Sequence, residues 1–334
     1  MIGKQIRRQV LNKVTIVIPN YNGEKWLRGC LDTLRPRFQN SAITYDIIVV
    51  DDASTDKSRD VISEYPDVGL IALDRNSGFS GAVNAGIKAT ESPYVILLNN
   101  DTKAKPGFVQ SLYNSISNDN KCFSVSASMR MWDREELMDS AGDVYCALGW
   151  SRSRGKGRPA ERYRQSSRIF SSCAGAAIYR RDAFDSIGYF DPLHFMYLED
   201  LDICWRALLA GYHNKYDPNA IVIHYGSATT GSKYNSRKVI YSASNNIYVL
   251  YKNMSALQLL FNFPLLLAGF LVKTVFFIKK GLGKDYLKGI AEGFGKCIGK
   301  GRKNRYRGFA GIIPRLAYLE LIMLRNIFTV LKDT

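Results

Sequence analysis

The first hundred residues alternate short apolar runs with amphipathic segments. Val14–Pro19 (VTIVIP), Tyr45–Val50 (YDIIVV), Gly69–Leu73 and Val95–Leu98 are β-branched or aliphatic runs bounded by turn residues, the pattern of buried strands. Glu24–Leu34 carries Trp26, Leu27, Cys30, Leu31 and Leu34 at helical spacing, and Lys57–Glu64 and Ala82–Ala89 read as further helices. Strand, helix, strand, helix, strand predicts an α/β fold, a mostly parallel sheet with helices on both faces. Ser124–Met131 and Asp217–His224 read as two more strands. In such sheets ligands sit beyond the carboxyl ends of the strands. Polar clusters stand there: Asn20–Gly23, Asp51–Asp56 and Asn99–Asp101.

The densest chemistry lies in Phe190–Gly211 (FDPLHFMYLEDLDICWRALLAG), where Glu199, Asp200 and Asp202 crowd together. Carboxylates this close raise one another's proton affinity. That suits a metal site, a strong internal pairing or a base. It also suits a plain helix start, where the dipole favours acidic residues, and Asp202 and Arg206 are spaced for a helical ion pair. His224 ends a strand just before Gly226 and is a ligand candidate, whereas His194 and His213 read as surface or packing residues. Small residues at Ser172–Ala177 permit close approach of a ligand or of another element. Arg152–Arg168 carries seven lysines and arginines with Gly155, Gly157 and Pro159. It reads as a mobile basic loop, either solvated or a lid over a diphosphate. GxGxxG and GxxxxGK[ST] are absent, which disfavours a dinucleotide fingerprint and a P-loop, and no internal repeat is present.

Composition changes the picture at the far end. The 334 residues have a formal charge of +16 with 46% hydrophobic residues and 10 prolines, so a folded chain is expected. From Phe270 onward, 14 lysines and arginines face 4 acidic residues. This tail is suited to an anionic surface. Ser255–Ile278 is the most apolar stretch, but Asn262, Pro264 and Lys273 interrupt it, so a shallow or re-entrant segment is expected rather than a span. Lys279–Arg307 reads as a basic amphipathic helix and Ile312–Leu331 as an apolar-rich one. Six cysteines without CxxC spacing imply reduced, buried thiols in a cytoplasmic protein. The first residues, MIGKQIRRQVLNK, contain no apolar core of a secretory signal.

Taken together, VTIVIPNYNG, VVDDASTD, RNSGFSGAVNAGI, LLNNDT, CAGAAIYRRDAFDSIGYFD, FMYLEDLDICWRALLAG and VIHYGSATTG resemble, in order and spacing, the family 2 glycosyltransferases of the GT-A fold. The likeness covers residues 13–235, with a nucleotide-sugar half to about 105 and an acceptor half after it. Residues 236–334, outside these motifs, are expected to form a C-terminal helical region for membrane association, the alternative being helices packed on the catalytic domain or on a second protomer. The nearest branch is rhamnosyltransferase-like and extends polysaccharides on lipid carriers. The resemblance implies that Asp51 contacts the nucleotide base beside Pro19 and Tyr21. It implies that Asn76 and Asn84 shape the sugar-nucleotide pocket, with Asn22, Asp52, Ser54, Gly78 and Asn100 around it. Asp101 would be the metal carboxylate of a DxD motif and His224 a second metal ligand or diphosphate contact. Asp200 would be the general base of an inverting transfer. Gly175, Ala176, Glu199, Asp202, Trp205 and Arg206 would serve the acceptor or support the base. Arg152, Arg154, Lys156 and Arg158 would form a diphosphate loop. The motif here reads Asn99-Asn100-Asp101, with an amide in place of the first carboxylate.

The cofactor implied is Mg2+ or Mn2+. The implied partners are a nucleoside diphosphate sugar, a glycan or lipid-linked glycan acceptor and the inner face of the plasma membrane, with a homo-oligomer left open. The donor favoured is dTDP-rhamnose, with UDP-linked galactofuranose, galactose or glucose as the alternative. A nucleotidyltransferase would need a glycine-rich, lysine-bearing signature that the sequence lacks. A nucleic-acid binder would account for the charge but not for carboxylate clusters that repel phosphate.

Overall fold

The computed structural model describes residues 13–226, 234–305 and 312–332. The first twelve residues, the SATTG end of the last resembling segment and part of the Lys279–Arg307 stretch therefore lie outside the described residues.

In chain order the elements are β1 (Val14–Asn20), α1 (Glu24–Thr33), α2 (Pro36–Gln39), β2 (Tyr45–Asp51), α3 (Ser58–Ser63), β3 (Val68–Ala72), α4 (Gly78–Lys88), β4 (Tyr94–Leu98), β5 (Thr102–Ala104) and α5 (Phe108–Ser117). There follow β6 (Cys122–Met131), β7 (Met138–Ser140), β8 (Asp143–Cys146), β9 (Trp150–Ser153), β10 (Ser167–Ile169), β11 (Ala176–Arg180), α6 (Ala183–Ile187), α7 (Glu199–Ala210) and β12 (His213–His224). The chain ends with α8 (Ser236–Asn253), α9 (Ala256–Lys279), α10 (Gly283–Ile298) and α11 (Ile312–Lys332).

The main sheet runs β10-β12-β6-β11-β4-β1-β2-β3. β3, β2, β1 and β4 are parallel, and β12 is parallel to β6. β11 enters antiparallel to both of its neighbours. Val14, Ile16 and Ile18 pack on one face and Val17 on the other, so both faces are covered and the strand reads as a continuous apolar run. The register sets the site. Asn20 pairs with Asp51, and Ala176 opens β11 opposite Leu98. The carboxyl ends of β1, β2 and β4 and the amino end of β11 therefore share one edge.

Two expectations are corrected. Arg152–Arg168 is not a mobile loop. β8 and β9 form a hairpin through Asp143–Ser153, and Gly157 and Ala160 donate to the carbonyls of Met138 and Glu136. Arg154 is turned inward: it donates to the carbonyl of Ala141 and to Ser167, and its guanidinium lies over Tyr163 and Tyr216. Lys156 pairs with Asp139 at 2.6 Å, and Arg158 donates to the carbonyl of Lys332 at 3.3 Å. Alternating aromatic and basic residues fold this stretch against β12, which composition alone does not reveal.

The second correction concerns only the interruptions expected in the apolar stretch. α9 runs unbroken through Asn262 and Pro264 for 24 residues, or about 36 Å at 1.5 Å per residue. Ser255 and Gln258 form a reciprocal capping box at its start. Asn262 is buried and donates to the carbonyl of Gln258. By length and composition α9 could cross a membrane. Its middle packs on the sheet domain, however, with Trp150 donating to the carbonyl of Gly269 at 3.0 Å and Leu266 buried beside Tyr145 and Trp205.

Candidate active site

Two adjoining centres occupy the shared edge. The first grows from the ends of β1 and β2. Asn20 donates to Asp51 at 3.0 Å and to Ser54 at 3.2 Å, and it accepts from Asn100 at 2.7 Å. Asp51 also accepts from Ser54 N and from the Arg59 guanidinium, at 2.7 Å. Burial opposes its charge, but those donors outweigh it and hold the carboxyl below its usual range. Asn22 accepts from Thr55 N, fixing the turn after β1 against the loop after β2. Pro19 lies partly buried in β1, while Tyr21 is exposed at the mouth.

Asp52 points the other way. It accepts from Ser77 N at 2.7 Å and Gly78 N at 2.9 Å, satisfying the open amides at the start of α4. Asn76 accepts from the same Gly78 amide. Gly78 has φ of +73°, and a Cβ there would stand 2.5 Å from the carbonyl oxygen of Phe195, so only glycine fits. Asn84 lies nearly two turns further along α4. Both ends of its amide clamp the backbone of Phe190, which makes it a scaffold for the acidic segment rather than an open pocket wall.

The second centre joins β4, β5, β7 and β12. His224 Nε2 lies 3.3 Å from Asp101 Oδ1, and its Nδ1 lies 2.7 Å from Asp139. Asp139 in turn holds Lys156. Burial disfavours a charged imidazole, but Asp101 and Asp139 override it and push His224 up to about 9. Asp101 Oδ1 is buried and makes no hydrogen bond beyond its 3.3 Å approach to the His224 ring. A divalent cation would fit between Asp101 and His224 by replacing the proton on the imidazole, taking these one or two protein ligands and completing its shell from phosphate and water. Asp139, which sequence reading missed, is the orienting group. Trp132 stacks on Tyr225 with centroids 3.4 Å apart, and Trp26 lies against the same ring. This aromatic wall was also missed, because its members come from three distant segments.

Asp200 stands at the start of α7. Its carboxylate accepts from Ala174 N at 3.2 Å and Leu201 N at 2.8 Å. Gly175 lets this strand start close on β4: a Cβ there would meet the side chain of Asn99 at 3.0 Å, and Ala176 beside it is fully buried. Burial raises the proton affinity of Asp200, and the backbone amides moderate it. Glu199 is buried, and burial first, then the Asp200 carboxylate, push it well above the usual carboxylate range. Asp202 adds a last, smaller push to Glu199 but is not among the groups that raise Asp200, so that part of the expectation is corrected. Asp202 turns into the core, where Arg206, Lys252 and Asn253 surround it at 2.9, 2.9 and 2.8 Å. Although burial opposes ionisation, those cations hold it far below the usual carboxylate range. Arg206 also donates to the carbonyls of Ile187, Gly188 and Tyr189. Trp205 is buried against Tyr145 and Phe170. Asp202, Trp205 and Arg206 therefore hold α7 in place and do not face the site. His194 is likewise a core residue, fully buried against Tyr248.

The turn before Asp200 is strained. Phe195, Tyr197 and Leu198 all have positive φ, at 61°, 70° and 64°. Such strain in bulky residues persists only where surrounding structure over-determines it. Here Asn245 of α8 donates to the carbonyls of His194, Met196 and Tyr197 at 2.9, 2.8 and 2.8 Å, and Lys296 of α10 fixes its oxygen at 2.6 Å.

Comparison with known proteins agrees with this architecture. The model of glycosyl transferase family 2 matches residues 15–188. An N-acetylglucosaminyl-diphospho-decaprenol L-rhamnosyltransferase of Mycobacterium tuberculosis is 27% identical over 226 residues, covering 61% of this chain and 74% of the relative. A poly-β-1,6-N-acetyl-D-glucosamine synthase of Staphylococcus aureus is 25% identical over 245 residues, 70% of this chain and 57% of the relative. Among solved structures, GalNAc-T7 with UDP, GalNAc and Mn2+ superposes with a TM-score of 0.58 at 16% identity, covering 73% of this chain and 48% of that one. A mannosyltransferase from Pyrobaculum calidifontis with GDP-Man and Mn2+ gives 0.53 at 13% identity, over 96% and 81%. The expected GT-A sheet is thus present. With its family model matched across more than half of its length, the chain belongs to glycosyl transferase family 2, whose members transfer a sugar from a nucleotide-sugar donor.

Proposed function

We propose that this chain is an inverting, metal-dependent transferase. It moves a hexose, rhamnose from dTDP-rhamnose in the first instance, to a hydroxyl of a lipid-linked glycan during cell-surface polysaccharide synthesis. The observation that carries the reading is the pairing of two unlike centres on one sheet edge. One is a buried carboxylate facing an oriented imidazole, Asp101 with His224. The other is a desolvated carboxylate, Asp200, at a helix start.

In this reading the Asn20–Asp51–Ser54 frame receives the nucleoside and the loop at Asn76–Gly78 the sugar. Asp101 and His224 would hold Mg2+ or Mn2+, which supplies charge neutralisation for the departing diphosphate. Asp200 accepts the proton of the acceptor hydroxyl as the new bond to the anomeric carbon forms and the bond to the diphosphate breaks on the opposite face. Attack from the opposite face inverts the anomeric centre. The inward-facing Arg154 is not available to clamp the diphosphate, and Lys156 reaches the site only through Asp139.

We further propose attachment to the cytoplasmic face of the membrane. Leu257, Leu260, Phe261, Leu271, Phe294 and Phe328, from α9, α10 and α11, expose more than half of their surface. Helix mid-sections docked on the protein with apolar outer faces suit lying on a bilayer better than crossing it. Thermal shift with dTDP-, UDP- and GDP-sugars, each with Mg2+, Mn2+ or EDTA, tests the donor and the metal together. A shift with one nucleotide sugar that EDTA abolishes supports the reading, and no shift with any of them opposes it. NMR of the product's anomeric centre tests inversion.

A further inference from the structure

A third carboxylate closes on Asp200 from a different element. Asp143 opens β8, and the ligand atoms of Asp143, Cys173 and Asp200 all lie within 4.8 Å of one another. Asp143 Oδ1 is buried and has no hydrogen-bond partner. A metal does not explain the group. Burial first, then Asp143 and Asp200, push the Cys173 thiol well above its usual value, so it is protonated and a poor ligand for a hard cation. A second carboxyl against a base has another use: two carboxylates this close in a desolvated recess do not ionise independently, and their protons belong to the pair.

We propose that Asp143 is a positioning residue for catalysis, whose carboxyl, held against Asp200, makes the two groups take up the acceptor's proton as one unit. This rests on the assignment of Asp200 as the base. The division of labour follows from the partners. Asp200 accepts two backbone amides, which favour its ionised form. Asp143 has an unpaired oxygen, so it is where a single shared proton rests. Burial first, then the Asp200 carboxylate, push Asp143 up to about 7. Above that pH the pair has given up its shared proton, and it presents a conjugate acid near neutrality, where general-base catalysis is most effective. A lone Asp200 would be a weaker base. The other groups facing the pair do not share this role. Lys156 and Asp139 oppose each other near Asp143, Glu199 is pushed well above the usual carboxylate range by burial and then by Asp200, and the hydroxyl of Tyr179 and the thiols of Cys173 and Cys204 stay protonated. No atom beyond the acceptor's proton is transferred in this step, and the nucleoside diphosphate leaves with the electron pair of its bond to the sugar.

Infrared titration of the protonated carboxyl band tests this without a substrate. In the native chain one carboxyl of the pair is expected to lose its proton near pH 7. In Asp200→Asn that step should move down by about one pH unit or more, because the like charge is gone, and the step should persist in Glu199→Gln, which removes the other carboxyl raised by Asp200. An unmoved step overturns the proposal. The kinetic arm follows nucleoside diphosphate release from dTDP-rhamnose and from UDP-galactose, with polyprenyl-diphosphate-linked N-acetylglucosamine as acceptor. Asp143→Asn should bind donor as before, lose the limb of kcat/KM near pH 7 and fall at least ~10-fold at the alkaline plateau. A retained limb with an unchanged plateau overturns it. If Asp143→Asn fails to fold, the infrared arm decides alone. Full turnover by Asp200→Asn would instead remove the base assignment. An inactive Asp200→Asn beside an unaltered Asp143→Asn would remove only the present inference.

Discussion

The side-chain amide of Asn245 donates to the carbonyl of Tyr197 at 2.8 Å. The bond ties α8 to the backbone three residues before Asp200, so a helix outside the sheet holds the turn that aims the proposed base. Replacing Asn245 by Leu removes this bond and its companions to His194 and Met196. The buried carbonyl of His194 left without a donor costs about 1–3 kcal/mol, and the half-buried carbonyls of Met196 and Tyr197 cost less. The variant should melt earlier, bind donor normally and turn over at least ~10-fold more slowly, as expected when a reacting group is mis-set. A normal kcat in a destabilised variant would limit Asn245 to a structural role.

Lys252 lies between Asp191 at 2.7 Å and Asp202 at 2.9 Å, with all three side chains buried. Lys252→Met leaves two buried carboxylates short of a cation and should destabilise the fold by about 3–5 kcal/mol. The pH dependence has a fixed sign. Asp202 and Asp191 are held below their unfolded values, so their contribution is present above about pH 4 and is lost as pH falls further. Urea melts from pH 3 to 7 should show the native chain losing stability steeply below pH 4 and Lys252→Met losing less.

His224 has the opposite sign. Its raised value, about 9 against 6.5 unfolded, gives stability that is complete below about pH 6.5 and disappears as pH rises through 9. The full difference is about 3 kcal/mol at roughly 1.4 kcal/mol per pH unit. In EDTA, His224→Gln should flatten the decline of Tm between pH 6.5 and 9. An equal decline in both chains would show that His224 is not charged between Asp101 and Asp139.

The membrane proposal rests on α9. Leu260, Phe261 and Leu271 are more than half exposed. Replacing all three by Gln should leave the melting temperature within a few degrees, since exposed sites contribute within ~0.5 kcal/mol each. Sedimentation with vesicles containing anionic lipid should fall several-fold. Undiminished sedimentation would move the contact to another face.

The parallel core and the edge on which the site is built were legible in the sequence, because fully buried strands such as Val14–Asn20 are continuous apolar runs ending in polar turns. The ordered course of Arg152–Arg168 was not legible, because it packs on a distant strand, with Arg154 lying over Tyr216 and the Tyr216 hydroxyl donating to the carbonyl of Tyr163. The unbroken α9 was missed because Pro264 and Asn262 read as breaks, whereas Asn262 finds its partner in the carbonyl of Gln258. Within the acidic segment, spacing exposed the Asp202–Arg206 pair, but only the fold shows that it faces the core and that Asp143 takes the neighbouring place.

The most direct measurement is the turnover of Asp200→Asn beside its donor affinity. The account predicts unchanged donor binding and turnover at least ~10²-fold slower, the usual worth of a general base. Turnover equal to that of the native chain would contradict the assignment of Asp200 and, with it, the catalytic reading of the whole acidic segment.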